Sequence, residues 1–202
     1  MVGYSRTALR AGSVLAMIVW VGAAAAAAAA PPPHYTLDAG RSLFRFSFVQ
    51  AGANNTGRFT KFGSDVLFAA DNLAGSKIDV TVDLAGLDTG DKERDDTLKG
   101  VDLFNVAKFP QAHFVATKIT SGAGGRFDAK GKLTMHGVTK DLTVPVTFQT
   151  KVEQGKTIGY MTGHITLKRL DYGVGQGDWK STEWVNDDVN VTFSLRLVPA
   201  AT

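Results

Sequence analysis

Apolar and polar residues alternate along most of the chain after Tyr35, in short runs separated by glycine, asparagine and aspartate. A period of two places successive side chains on opposite faces of a β-strand, and turn residues between such runs are typical of antiparallel strands. The alternating runs lie at 44–48, 57–69, 78–84, 111–120, 127–135, 142–148, 161–167 and 189–197. We therefore predict about eight strands, each with one apolar and one polar face.

Two stretches interrupt the alternation. Residues 91–105 are rich in helix formers, so we predict a short helix on a long connection, with Asp91 as its N-cap and Gly100 as its stop. Residues 170–188 contain several glycines, which favour a loop, together with Trp179 and Trp184, which we expect to cover another part of the protein. A tight hairpin turn is expected at His136 and Gly137.

Eight antiparallel strands with one apolar face each can close into a barrel or split into a sandwich. Closure removes exposed strand edges, so we predict an all-β fold in which eight antiparallel strands form a β-barrel. The interior of an eight-stranded barrel is either filled by its own side chains or holds one slender ligand. The alternation alone leaves both possibilities open.

The first thirty residues differ in kind from the rest. Arg6 and Arg10 precede an uncharged run over 11–30, which is typical of an export signal, and Pro31 and the two prolines after it block any continuing helix. We expect residues 1–30 to be a removed signal peptide and residues 31–202 to form one β-barrel domain. The alternative is an uncleaved membrane anchor, although the alanines of its second half are weakly apolar for that role.

Charge and composition exclude several classes of protein. The formal net charge of +3 falls to +1 without Arg6 and Arg10, which is too balanced for a nucleic-acid binder. The chain has no cysteine, so disulfides, thiolate metal sites and a cysteine nucleophile are excluded.

No pattern of catalytic or metal-binding residues is present. His34, His113, His136 and His164 lack the spacing of metal ligands, and we expect them on polar faces or in turns. The charged run 91–96 belongs to the exposed predicted helix, whereas acid–base catalysis requires carboxyl groups in an apolar cleft. Nucleophile-elbow, phosphate-loop and dinucleotide motifs are absent, so we predict neither an enzyme nor a metal or cofactor site.

Several segments, in order, resemble the YceI-like family of bacterial periplasmic proteins. The resembling segments are 38–48, GRF at 57–59, Thr89, RDDTLKG at 94–100, VDLFNVAKFPQAHF at 101–114, GKLTMHGVTK at 131–140 and KRLDYGVG at 168–175. The resemblance covers about 35–198, and LTMHGVTK is its most specific part. One position departs from the family, which usually has a histidine where this chain has Thr97.

The resemblance implies a periplasmic, lipocalin-like barrel that sequesters a polyisoprenoid, such as a quinone or a polyprenyl lipid, in an apolar tunnel. Strand parity selects the residues expected to line that tunnel. They are Phe44, Phe46, Phe48, Ile78, Val80, Val82, Phe114, Leu133, Met135, Leu142, Val144, Met161, Ile165, Leu167, Phe193 and Leu195. No other cofactor is expected; the further partners we consider are a membrane or membrane redox proteins, contacted transiently, and a second copy in a homodimer.

Two other functions remain open. A ligand-free packed barrel could act as a partner or stress-response module of membrane redox proteins, and Trp179 and Trp184 would then be contact residues on the loop. The same tryptophans could instead plug the end of the barrel. A hydrolase or isomerase acting on the bound lipid is the third hypothesis.

Overall fold

The computed structural model describes residues 30–200 and Met1. The export signal expected at 1–30 therefore lies almost entirely outside the described residues. Within the part that is described, no helix has both the length and the apolar character needed to cross a membrane.

Antiparallel β-strands make up most of the described chain. The segments are β1 His34–Leu37, β2 Leu43–Gln50, β3 Ala53–Phe59, β4 Phe62–Leu67, β5 Lys77–Asp83, β6 Leu87–Asp88, β7 Gln111–Ser121, β8 Arg126–Met135, β9 Val138–Glu153, β10 Lys156–Lys168 and β11 Val185–Pro199. The helix α1 spans Lys92–Lys99. Short 3-10 turns lie at Ala39–Arg41, Leu84–Gly86, Ala123–Gly125, Arg169–Tyr172 and Gly177–Lys180.

These segments form eight barrel strands, because the first three strands are each interrupted once. β1 continues into β2, β3 into β4, and β5 into β6, while each segment from β7 to β11 is a whole strand. Every strand pairs with the next one along the chain, and β11 pairs with both β1 and β2, which closes the ring. The predicted eight-stranded antiparallel barrel is therefore confirmed.

The apolar residues of the alternating sequence pattern point into the barrel, and the polar residues between them point outwards. In β8 every second residue, from Phe127 to Met135, is buried, and the residues between them are exposed. The β8–β9 turn has positive φ at both His136 (52°) and Gly137 (77°). Two left-handed residues match the twist of a two-residue hairpin, so the predicted turn is confirmed.

The helix also begins and ends where the sequence indicated. The Asp91 carboxylate accepts a hydrogen bond from the Arg94 N–H at 3.1 Å, and Gly100 is the C-cap residue. The predicted loop at 170–188, however, extends too far towards the C-terminus. Strand β11 already begins at Val185, which pairs with Gln50, and a bulge between Val185 and Val189 explains why the period of two is lost there.

One end of the barrel is closed by aromatic side chains. The Phe68 ring centre lies 5.0 Å from that of Phe127 and 4.4 Å from that of Phe148, and Tyr35 packs edge-on against Phe148 at 5.8 Å. Phe68 and Tyr35 are almost completely buried. We call this end of the barrel the closed end.

Gly131 is required by a close approach of two strands. A Cβ atom at Gly131 would lie 2.1 Å from the Val115 carbonyl oxygen, where β7 carries a bulge between Ala116 and Lys118. We predict that Gly131→Ala lowers the free energy of unfolding by about 2 kcal/mol, because the added methyl forces the two backbones apart. Urea denaturation followed by circular dichroism measures the change.

Gly63→Ala in β4 is the matched control, since nothing lies within 4 Å of its added Cβ. Its free energy of unfolding should be unchanged or higher by up to about 1 kcal/mol, because alanine restricts the unfolded chain. Equal effects of the two substitutions would contradict the role assigned to Gly131.

Candidate ligand-binding cavity

A cavity of about 730 Å³ occupies the interior of the barrel. Its floor includes Met161 and Leu195, both almost fully buried. Its other end reaches α1 and the β2–β3 turn, on the side of the barrel opposite to the aromatic closed end. The strands leave this volume unfilled, so the barrel is not packed solid by its own side chains.

All sixteen residues that strand parity selected lie in the wall of this cavity. Parity selects wall residues because alternate residues of every barrel strand point to the interior. Their contact with a lipid stays a prediction. Val189 and Val191 share the parity of Phe193 and also line the cavity, although they were not selected. Further wall residues on the strands that the sixteen do not include are Phe59, Ala112, Ala129 and Val146.

Other apolar wall residues come from segments between the strands, where no period of two exists. They include Leu84, Leu98, Leu103, Phe104, Val174 and Trp179. The sequence signal for three of them is that Leu98, Leu103 and Phe104 are apolar within the mostly polar stretch 91–105. Parity could not find them because a connection folds over the end of the barrel instead of running along its wall.

Polar residues of the wall are concentrated at one opening, which we call the portal. The portal is bounded by Gln50 and Asn55 beside the β2–β3 turn and by four residues of α1 and its N-cap. Those four are Asp91, Glu93, Arg94 and Thr97. The charged run 91–96, expected on an exposed helix, thus also borders the cavity, and the Arg94 Nη2 lies 3.8 Å from the Asp91 Oδ2.

The connection from β10 to β11, residues 169–184, covers part of the open end of the barrel, and we call it the roof. The Arg169 side chain holds this connection together. This side chain is only 4% exposed. Its guanidinium donates hydrogen bonds to four backbone carbonyls, those of Val174 (3.0 Å), Val185 (2.9 Å), Asn186 (3.1 Å) and Ser181 (3.3 Å). Burial lowers the pKa of Arg169 below its usual value, but an arginine starts so high that it remains charged.

This roof meets the connection after α1 across the mouth of the barrel. The Gln176 N–H donates to the Asp102 carbonyl at 2.6 Å. Trp179 is half-buried and lines the cavity, as expected for a covering residue. Trp184 differs, since 66% of its surface is exposed.

The histidines occupy three kinds of position. His34 and His113 bond to Asp65 (2.5 Å) and Asp79 (2.7 Å) on the outer surface, and His164 is exposed. His136 lies in the β8–β9 turn, as expected, but it is not fully solvated: its ring packs at 4.6 Å against Phe109, tilted by 56°, and its Nε2 is buried with no hydrogen-bond partner among the described residues. The residues described contain no cluster of three potential ligands that could hold a metal ion.

Comparison with known proteins identifies the family. The sequence profile of the YceI-like domain matches residues 35–197. This chain belongs to the YceI-like family. A UPF0312 protein of Pseudomonas syringae pv. tomato is 31% identical to it over 193 residues, covering 94% of this chain and 95% of that protein.

Two solved structures place this YceI-like protein among barrels of the same shape. BcnA of Burkholderia cenocepacia superposes with a TM-score of 0.75 at 32% identity, covering 82% of this chain and 99% of that one. A Saccharophagus degradans domain described as polyisoprenoid binding superposes with a TM-score of 0.65 at 18% identity, covering 82% and 98%. The second similarity concerns the fold alone.

Arg169 provides a direct test of the roof. We predict that Arg169→Lys lowers the free energy of unfolding by about 3 kcal/mol. The four carbonyls are arranged around a planar guanidinium group, and a single ammonium group cannot reach all of them. Amide hydrogen exchange over 170–185 should accelerate in the same variant. Arg126→Lys, at an exposed position of β8, is the control and should change neither quantity. Unchanged exchange in the Arg169 variant would disprove the organising role of this side chain.

Proposed function

We propose that this protein binds one long-chain polyisoprenoid in the barrel cavity and sequesters or carries it in the periplasm. The observation that carries the proposal is the unfilled apolar cavity, closed at one end and open at the other. An elongated apolar molecule suits this shape, because its tail would occupy the interior while its head group stays at the portal.

The driving force would be the removal of apolar surface from water, worth about 25 cal/mol for each Å² buried. An empty apolar cavity also deprives its wall of van der Waals contacts, so a tail that fills it should stabilise the barrel. Aromatic and aliphatic wall residues such as Phe46, Val144 and Leu195 would supply these contacts. The cost of ordering a flexible tail opposes this gain, which is why a long tail is favoured over a short one.

Similarity to the Saccharophagus domain supports the class of ligand, because that domain is described as polyisoprenoid binding. The export signal expected at 1–30 supports the periplasmic location. Sequestration requires no reacting group, which agrees with a cavity wall whose charged side chains stand mainly at the portal. We therefore propose a binding protein and not an enzyme acting on the lipid.

The direct test is to produce the full chain in a bacterial host, purify it from the periplasmic fraction and identify extracted lipids by mass spectrometry. We expect close to one isoprenoid per protein, chemically unaltered. A protein that is recovered empty and that also fails to take up added polyprenol would refute the proposed function.

A substitution that fills the cavity separates ligand binding from folding. Leu142→Trp places a larger apolar side chain in the cavity wall, and we predict at least about a tenfold loss of polyprenol uptake. Its free energy of unfolding should not fall by more than about 1 kcal/mol, because unfilled space is available. Thr143→Trp, the exposed neighbour on β9, is the matched control and should take up polyprenol normally. Normal uptake by Leu142→Trp would exclude the cavity as the binding site.

A further inference from the structure

The portal contains the polar groups that the head group of a bound lipid would contact. Tails enter a cavity whose floor lies above the aromatic closed end, so the head group of a bound lipid must remain among the polar residues at the opposite end. These are Gln50, Asn55 and the side chains contributed by α1 and its N-cap. Their charges and hydrogen-bonding groups decide between a neutral and an anionic head group.

Negative charge predominates at the portal. Asp91 and Glu93 provide two carboxylates against the single guanidinium of Arg94, which is already 3.8 Å from the Asp91 carboxylate. A phosphate monoester carries a charge of about −1.5 to −2 at neutral pH, so it would meet net repulsion at this position. A neutral head group would meet none.

The N-terminus of α1, which could otherwise attract an anion, is already satisfied by acidic residues. The Asp91 carboxylate accepts the Arg94 N–H, and Glu93 and Asp95 occupy the first turn. These carboxylates complement the positive end of the helix dipole. The helix end therefore offers a phosphate little additional attraction.

Arg169, the other cation in the cavity wall, is also committed elsewhere. Its four hydrogen bonds to backbone carbonyls hold the roof, and it is almost completely buried. Turning it towards a phosphate would leave those carbonyls without partners. The uncharged polar groups at the portal are the amides of Gln50 and Asn55 and the hydroxyl of Thr97. Asn55 Nδ2 donates one hydrogen bond to the Ala53 carbonyl at 3.1 Å, and the Thr97 hydroxyl donates to the Glu93 carbonyl at 2.9 Å. The amides keep further N–H donors and the Thr97 oxygen can still accept, so these groups suit carbonyl or hydroxyl head groups.

We propose that the lipid carried by this barrel has an uncharged, oxygen-bearing head group, as in a quinone or a polyprenol, and that the portal discriminates against prenyl phosphates. This inference rests on the proposed function. Because the interaction is between charges near the surface, the discrimination is expected to be on the order of tenfold and to weaken as salt is added.

Two probes that have the same tail and differ only in the head group measure the contribution of the head group to loading. Lipid-free protein is incubated with equal amounts of geranylgeraniol and geranylgeranyl monophosphate, freed of unbound lipid by gel filtration, and analysed by mass spectrometry. We expect the alcohol to exceed the phosphate at least about tenfold at low salt. Equal loading, or more phosphate than alcohol, would overturn the inference while leaving the proposed function intact.

Glu93→Lys reverses one charge at the portal, and Asp96→Lys makes the same change on an exposed side chain of α1 that does not line the cavity. Glu93→Lys should reduce the preference for the alcohol by about tenfold, and Asp96→Lys should change it much less. Equal shifts in the two variants would contradict the role of the portal. If neither probe loads into any of the proteins, the proposed function fails and this inference fails with it.

Discussion

The structure depends on the hydrogen bonding of β11 along both of its edges. This strand pairs with β10 over most of its length, and on its other side with β2 and then with β1. Without the second set of pairs the sheet would have two free edges, and its inward-facing apolar side chains would be open to water. Closure also fixes the diameter of the barrel, because the number of strands determines how wide the interior is. The cavity is thus a consequence of the pairing, and the wall residues occupy it only in part.

Aromatic packing and polar contacts are divided between the two ends of this barrel. The rings of Tyr35, Phe68, Phe127 and Phe148 fill the closed end, where the most completely buried side chains of the strands also lie. At the other end, the chain is held by polar interactions instead, above all by the Arg169 side chain beneath the roof. Such an arrangement lets the open end be rebuilt by changes in α1 and in the connections while the packed end preserves the fold.

Most of the fold could be predicted from the sequence because one physical rule, the alternation of strand faces, governs most of its residues. The same rule identified sixteen residues of the cavity wall, since a closed barrel has only one interior. It failed where the chain leaves the strands. Leu103, Phe104 and Val174 enter the wall from connections, and the burial of His136 depends on Phe109, a residue of another connection. Contacts between connections arise only after the barrel has brought its loops together, so no local pattern contains them.

Both ends of the described chain lie at the closed end of the barrel. The Asn72 side chain bonds to the carbonyl of Ala30, and the Ala200 N–H bonds to the carbonyl of His34. A tether attached through either end would therefore leave the portal unobstructed and directed away from the point of attachment. On a sensor chip this orientation would direct the portal of every molecule towards the solution. On a bilayer that held the barrel by its N-terminal side, the barrel would have to turn over to receive a lipid from that same bilayer.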